Sequence, residues 1–180
     1  MRCRYDNVIG IDPDREKSGV AFLKLATRSL QVMNMPFPEL TDYLQTCKVA
    51  FEENGETFIV VVEAGWMVKK SNYHKAQGHR AEKIAKDVGA NHETGRKIVE
   101  MCKHYGIDVV EHHPLRKGWK GADGKITSQE LASFTGLTGR TNQDGRDAAL
   151  LAWYFAGLPM MTMGGILRTN KDVLKRLKRQ

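Results

Sequence analysis

Asp12, Glu63, Asp144 and Asp147 are the residues of this chain best placed to do chemistry together. Asp12 closes the run Val8-Ile9-Gly10-Ile11, and Glu63 closes Phe58-Ile59-Val60-Val61-Val62, so each carboxylate ends a short apolar run typical of a buried strand. Asp144 and Asp147 stand three apart where the chain enters the apolar helical pattern from Ala148 to Phe155, a spacing that puts both on one helix face. Acids from three distant segments can therefore meet. Hard cations such as Mg²⁺ take oxygen ligands, and two of them roughly 3.5–4 Å apart can hold the attacking water and the leaving oxygen of an in-line phosphodiester displacement. Singly, each acid has a plainer reading: Asp12 as a turn residue, Glu63 as a surface acid, Asp144 or Asp147 as a helix N-terminal acid complementing the dipole. The constellation points to a metal-dependent nuclease.

The elements that must position these acids follow from the pattern around them. After the first strand, Pro13 to Gly19 reads as a turn, and Val20–Leu25 and Leu30–Met35 read as two more strands in an antiparallel meander. From Pro38 to about Glu53, Leu40, Tyr43, Leu44, Cys47 and Phe51 recur at helical spacing and lead into the strand that ends in Glu63. Residues 71–105 carry a long helical signal punctuated by Gly89 and Gly95, and two helices are expected, dividing near Gly89. A final strand is expected over Ile107–Glu111, then a Gly- and Lys-rich loop from Pro114 to Lys125, a helix from about Ser128, and the helix carrying Asp144 and Asp147.

Composition bounds the partners. The 180 residues read most simply as one domain over residues 1–168 with a basic tail, 169–180, and such a length can bury a core without disulfides. Lys plus Arg number 28 against 21 acids, a formal charge of +7 that favours a polyanionic partner. Cys3, Cys47 and Cys102 are scattered with no CxxC spacing, which argues against a disulfide framework or a tetrahedral zinc site. With no apolar segment of membrane-spanning length and no signal-peptide pattern, the expectation is a soluble cytoplasmic protein. The phosphate loop GxxxxGK[ST], the GxSxG elbow and the HExxH helix are all missing, so their chemistries lack a signature here.

The order of three strands, helix, strand, helices, strand and helix resembles the ribonuclease H fold, an α/β architecture with a mixed five-stranded sheet flanked by helices. Val8-Ile9-Gly10-Ile11-Asp12-Pro13 with Ser18-Gly19-Val20-Ala21, then Val62-Glu63, then Asp144-Gly145-Arg146-Asp147-Ala148, resemble the RuvC family of Holliday junction resolvases over residues 8–158. That resemblance implies a catalytic tetrad of Asp12, Glu63, Asp144 and Asp147 holding two Mg²⁺ ions, with Mn²⁺ able to substitute. It also implies four-way junction DNA as substrate and a homodimer, because two symmetric nicks need two sites related by a two-fold axis. An aromatic residue three positions after the catalytic Glu packs on opened bases in that family, and Trp66 stands there. Its alternative is a packing role under the following helix. Lys69, Lys70 and Arg80 follow closely and offer a phosphate-facing surface, or a merely solvated one. Arg116, Lys117, Lys120 and Lys125 occupy the loop where the family carries lysines that contact junction DNA. Lys117 matches the first of these, and the second falls on Thr127 unless Lys125 substitutes.

Other readings stay open at this point. Asp14 stands where the family usually has Gly, as a turn residue or as extra charge near the metals. Trp119 is a second stacking surface or a lid over the core, and His112 and His113 are proton donors or structural residues. The same fold could serve cleavage of an RNA–DNA hybrid or another branched DNA, or a non-catalytic junction-binding protein. An actin-like kinase would need a second phosphate loop, which is not seen.

Overall fold

Side-chain alternation along two parallel strands decides the layering of this protein. The computed structural model describes residues 3–68 and 79–160. Strands β1 (Asn7–Asp12), β2 (Ser18–Lys24) and β3 (Ser29–Met35) form the antiparallel meander; helix α1 (Phe37–Glu53) crosses over to β4 (Phe58–Glu63), and β5 (Val109–His112) follows α2 (His79–His104). Two further helices, α3 (Ser128–Thr135) and α4 (Gln143–Phe155), close the fold. The five strands lie in the order β3-β2-β1-β4-β5, with β4 parallel to β1 and β5 parallel to β4. This is the mixed, ribonuclease H-like sheet that the order of motifs implied.

Even-numbered residues of β1 and odd-numbered residues of β4 face α4, where Val8, Ile59 and Val61 join Ala148, Leu151 and Trp153 in one core. The opposite face carries Ile9, Ile11, Val60 and Val62 against Leu40 and Leu44 of α1 and Ile98 and Cys102 of α2. Continuing the alternation by one residue turns Asp12 and Glu63 toward α4. Helix α4 lies almost flush on the sheet, because β1 and β2 offer glycines beneath it. A Cβ on Gly10 would lie 2.4 Å from the Ala148 carbonyl oxygen, and one on Gly19 would lie 2.2 Å from that of Asp144.

Two expectations need correction. Helix α2 runs unbroken for 26 residues through Gly89, where two helices were expected. One glycine costs only about 1 kcal/mol in a helix interior, and the buried face of Ile98, Val99 and Cys102 outweighs it. Strand β5 begins two residues later than expected, since Ile107 donates its N–H to the Cys102 carbonyl in the turn that ends α2, with Gly106 at φ +66°. The basic tail and residues 71–78 lie outside the described residues. Among the described residues, no helix is long and apolar enough to cross a membrane.

Candidate active site

Ile11 of β1 sits opposite Val62 of β4, so the next residues, Asp12 and Glu63, emerge side by side at the ends of neighbouring strands. Helix α4 starts directly over this edge, its first turn fixed by the Asn142 side chain, whose Oδ1 accepts the Gly145 N–H at 2.9 Å. Asp12, Glu63, Asp144 and Asp147 thereby line one cavity of about 250 Å³, together with Arg116, Lys117 and Lys125 from the loop after β5.

The charges inside this cavity are far from independent. Burial, and then the carboxylates of Glu63, Asp147 and Asp144, push the Asp12 carboxyl well above its ordinary value, with Lys125 opposing. Burial also raises Asp144, with Asp14 and Asp147 adding to the shift while Lys125 and Arg146 counter it. Lys125 Nζ stands 3.0 Å from Asp147 Oδ2. Burial alone would lower this ammonium, but its hydrogen bond to Asp147 and the charges of Asp147, Asp12 and Asp144 raise it instead. The other Asp147 oxygen accepts from Gln143 Nε2 at 2.7 Å.

A divalent cation fits the chemistry of these donors. They are all carboxylate oxygens, the set that hard cations such as Mg²⁺ and Mn²⁺ prefer. Crowding that drives Asp12 to hold a proton is the strain a cation would relieve. As placed, no three acid, histidine or cysteine side chains among the described residues stand close enough to share one ion. Lys125 supplies the positive charge beside Asp147.

The rest of the expected site divides sharply. Arg116 and Lys117 are exposed at the cavity, whereas Lys120 is exposed but does not line it. The loop that carries them is stapled: Glu130 accepts the Lys120 N–H and the Thr127 N–H and hydroxyl, and Thr127 caps α3 in return. Trp119 packs 6.1 Å from Phe134, itself 6.0 Å from Trp153, which makes it a lid on the core. Lys69 and Lys70 lie outside the described residues, as does the side chain of Arg80.

Trp66 is held on several sides. Its ring lies where a Cβ on Gly95 would fall 2.4 Å away, its Nε1 donates to Glu111 at 3.0 Å, and the Arg96 guanidinium sits 5.4 Å from its centroid. It remains half-buried, beside Asp12, Glu63, Asn91 and His92 in a second, smaller recess. Asp14 shapes the turn and also lines the acid cavity: Oδ1 accepts the Glu16 N–H at 2.8 Å, and Oδ2 accepts from Asn91 at 3.2 Å. His112 pairs with Glu63 across the strands, but its ring stands edge-on to Tyr154 and its Nδ1 lies 2.6 Å from the His113 carbonyl. Reading the sequence missed Asn91 and Gln143. The second carried a signal, since a Gln four residues before an Asp on a helix can hydrogen-bond to it.

No protein-family model matches this chain, and no curated protein matches it. Among solved structures it is similar to Thermus thermophilus RuvC in complex with a Holliday junction substrate, at 14% identity and a TM-score of 0.48 over 81% of this chain and 89% of that one. A second Thermus thermophilus RuvC structure is similar at 17% identity and a TM-score of 0.40, over 81% and 90% of the two chains. The Fowlpox virus resolvase with Holliday junction DNA is similar at 11% identity and a TM-score of 0.42, over 83% and 96%. The strand order, the strand directions and the seat of α4 on the sheet give this chain a ribonuclease H-like fold, a mixed five-stranded sheet flanked by helices.

Proposed function

We propose that this protein is a metal-dependent endonuclease that cuts four-way DNA junctions. One observation carries the reading: Asp12, Glu63, Asp144 and Asp147, from three separate segments, line a single cavity whose rim holds Arg116 and Lys117. Two divalent cations held by these acids would supply an activated water and stabilise the leaving oxygen. Asp12 and Glu63 would hold ions from the sheet, and Asp144 and Asp147 from the helix. Arg116 and Lys117 would bring phosphates to the rim, and Lys125 would balance charge at Asp147. Cutting both strands of a junction symmetrically calls for a homodimer, with α2 as the candidate interface.

The test is a cleavage assay on a mobile four-way junction, plain duplex and an RNA–DNA hybrid, with and without Mg²⁺. The junction should be cut first, and only with metal. Preference for the hybrid would turn the reading to ribonuclease H-like cleavage, and junction binding without cutting would turn it to a non-catalytic binder.

A further inference from the structure

We infer that Gln143 is a positioning residue that fixes which oxygen of Asp147 is offered to a metal ion; the inference rests on the nuclease reading above. Gln143 opens α4, and its Nε2 donates to Asp147 Oδ1 at 2.7 Å. Its Oε1 accepts from Arg146 Nη2 at 2.8 Å. A guanidinium can only donate and a carboxylate can only accept, so the side chain between them must accept at one end and donate at the other. A carboxamide does this in one rigid plane, and Gln has the reach.

Arg146 is itself fixed by the backbone. Its Nε donates to the Ile126 carbonyl at 3.1 Å and its Nη1 to the Thr141 carbonyl at 2.6 Å. The amide of Gln143 therefore cannot flip without setting its NH₂ against the guanidinium. Asp147 Oδ1 is committed to Gln143 as a result, while Oδ2 pairs with the Lys125 ammonium, a flexible cation that a metal can displace. The same cluster anchors Ile126, the residue after Lys125, so the acid and its lysine share one frame. A neutral donor orients the carboxylate without cancelling the charge that a cation needs. Outer partners of metal ligands act in this way, and losing one typically weakens metal affinity by about 10–100-fold.

The experiment is Mn²⁺ titration by calorimetry on the DNA-free protein, with thermal melts alongside. The parent is compared with Gln143→Met, which keeps length but cannot hydrogen-bond, and with Gln143→Asn, one carbon too short to span both partners. Both folded variants should bind Mn²⁺ about 10–100-fold more weakly than the parent. If Gln143→Met does not fold, Gln143→Asn decides by the same criterion. Equal affinity in parent and folded variant would overturn the role of Gln143 while leaving the metal site intact. A parent that takes up no Mn²⁺ would overturn the metal reading of the cavity, and the role of Gln143 with it.

Discussion

Asp12 is the acid under the greatest electrostatic load, and that load has a measurable sign. Its folded-state pKa is raised above the ordinary 3.8 by burial and by the neighbouring acids, so the native protein holds this proton more tightly than the unfolded chain. The stabilisation is full below 3.8 and is lost as pH rises through the folded value. At neutral pH, far above 3.8, the metal-free protein bears a cost at Asp12, either as a buried charge or as the proton taken up to neutralise it. Asp12→Asn should therefore abolish most cleavage yet melt higher than the metal-free parent at neutral pH, with the gap closing as pH falls toward roughly 4. Scanning calorimetry in EDTA across that range checks this, and a variant that melts no higher than the parent at neutral pH would count against the crowded-acid account. The four acids were legible because each ends an apolar run or begins one, and strand alternation then dictates the face. The contact between Lys125 and Asp147 was not legible. It depends on how an irregular loop folds, and a sequence of Gly and Lys does not encode that path.

Elements place these residues by close approach, and the glycines of β1 and β2 carry that geometry. Gly19 faces the first turn of α4 with no space for a methyl group, since a Cβ there would lie 2.2 Å from the Asp144 backbone. Gly19→Ala must push the helix start away from the sheet, and overpacking of this kind costs about 1–3 kcal/mol. The variant should melt lower than the parent and also bind Mn²⁺ more weakly, because Asp144 and Asp147 move while Asp12 stays. Calorimetry reads both, and a destabilised variant with unchanged metal affinity would show that the seat of α4 does not set the site. Strand pairs and α4 could be read from periodicity because their buried faces are regular. Helix α2 was misjudged at Gly89, whose surroundings are open, whereas Gly95, which also punctuates the pattern, is the glycine that matters, making room for Trp66. Sequence shows that a glycine is present, and only packing shows whether its missing side chain is used.

At the scale of the whole molecule, a protein with formal charge +7 has gathered Asp12, Glu63, Asp144 and Asp147 at the very cavity proposed to receive a phosphate. Two opposing fields follow. Basic surface draws in nucleic acid by releasing counterions, so junction affinity should fall steeply as salt rises. On the proposed function, the acid cavity would repel a scissile phosphate until divalent cations reversed its sign. Ca²⁺, which takes the same oxygen donors, separates the two effects when added against EDTA at fixed ionic strength. In the parent it should tighten junction binding several-fold. In an Asp12→Asn, Asp147→Asn double variant binding in EDTA should already be tighter than the parent's, because two repelling charges are gone, and Ca²⁺ should add little. Fluorescence anisotropy with a labelled four-way junction measures all four conditions. Equal enhancement by Ca²⁺ in parent and double variant would mean that the ion bridges protein and DNA elsewhere, and that these carboxylates do not gate the approach of the phosphate.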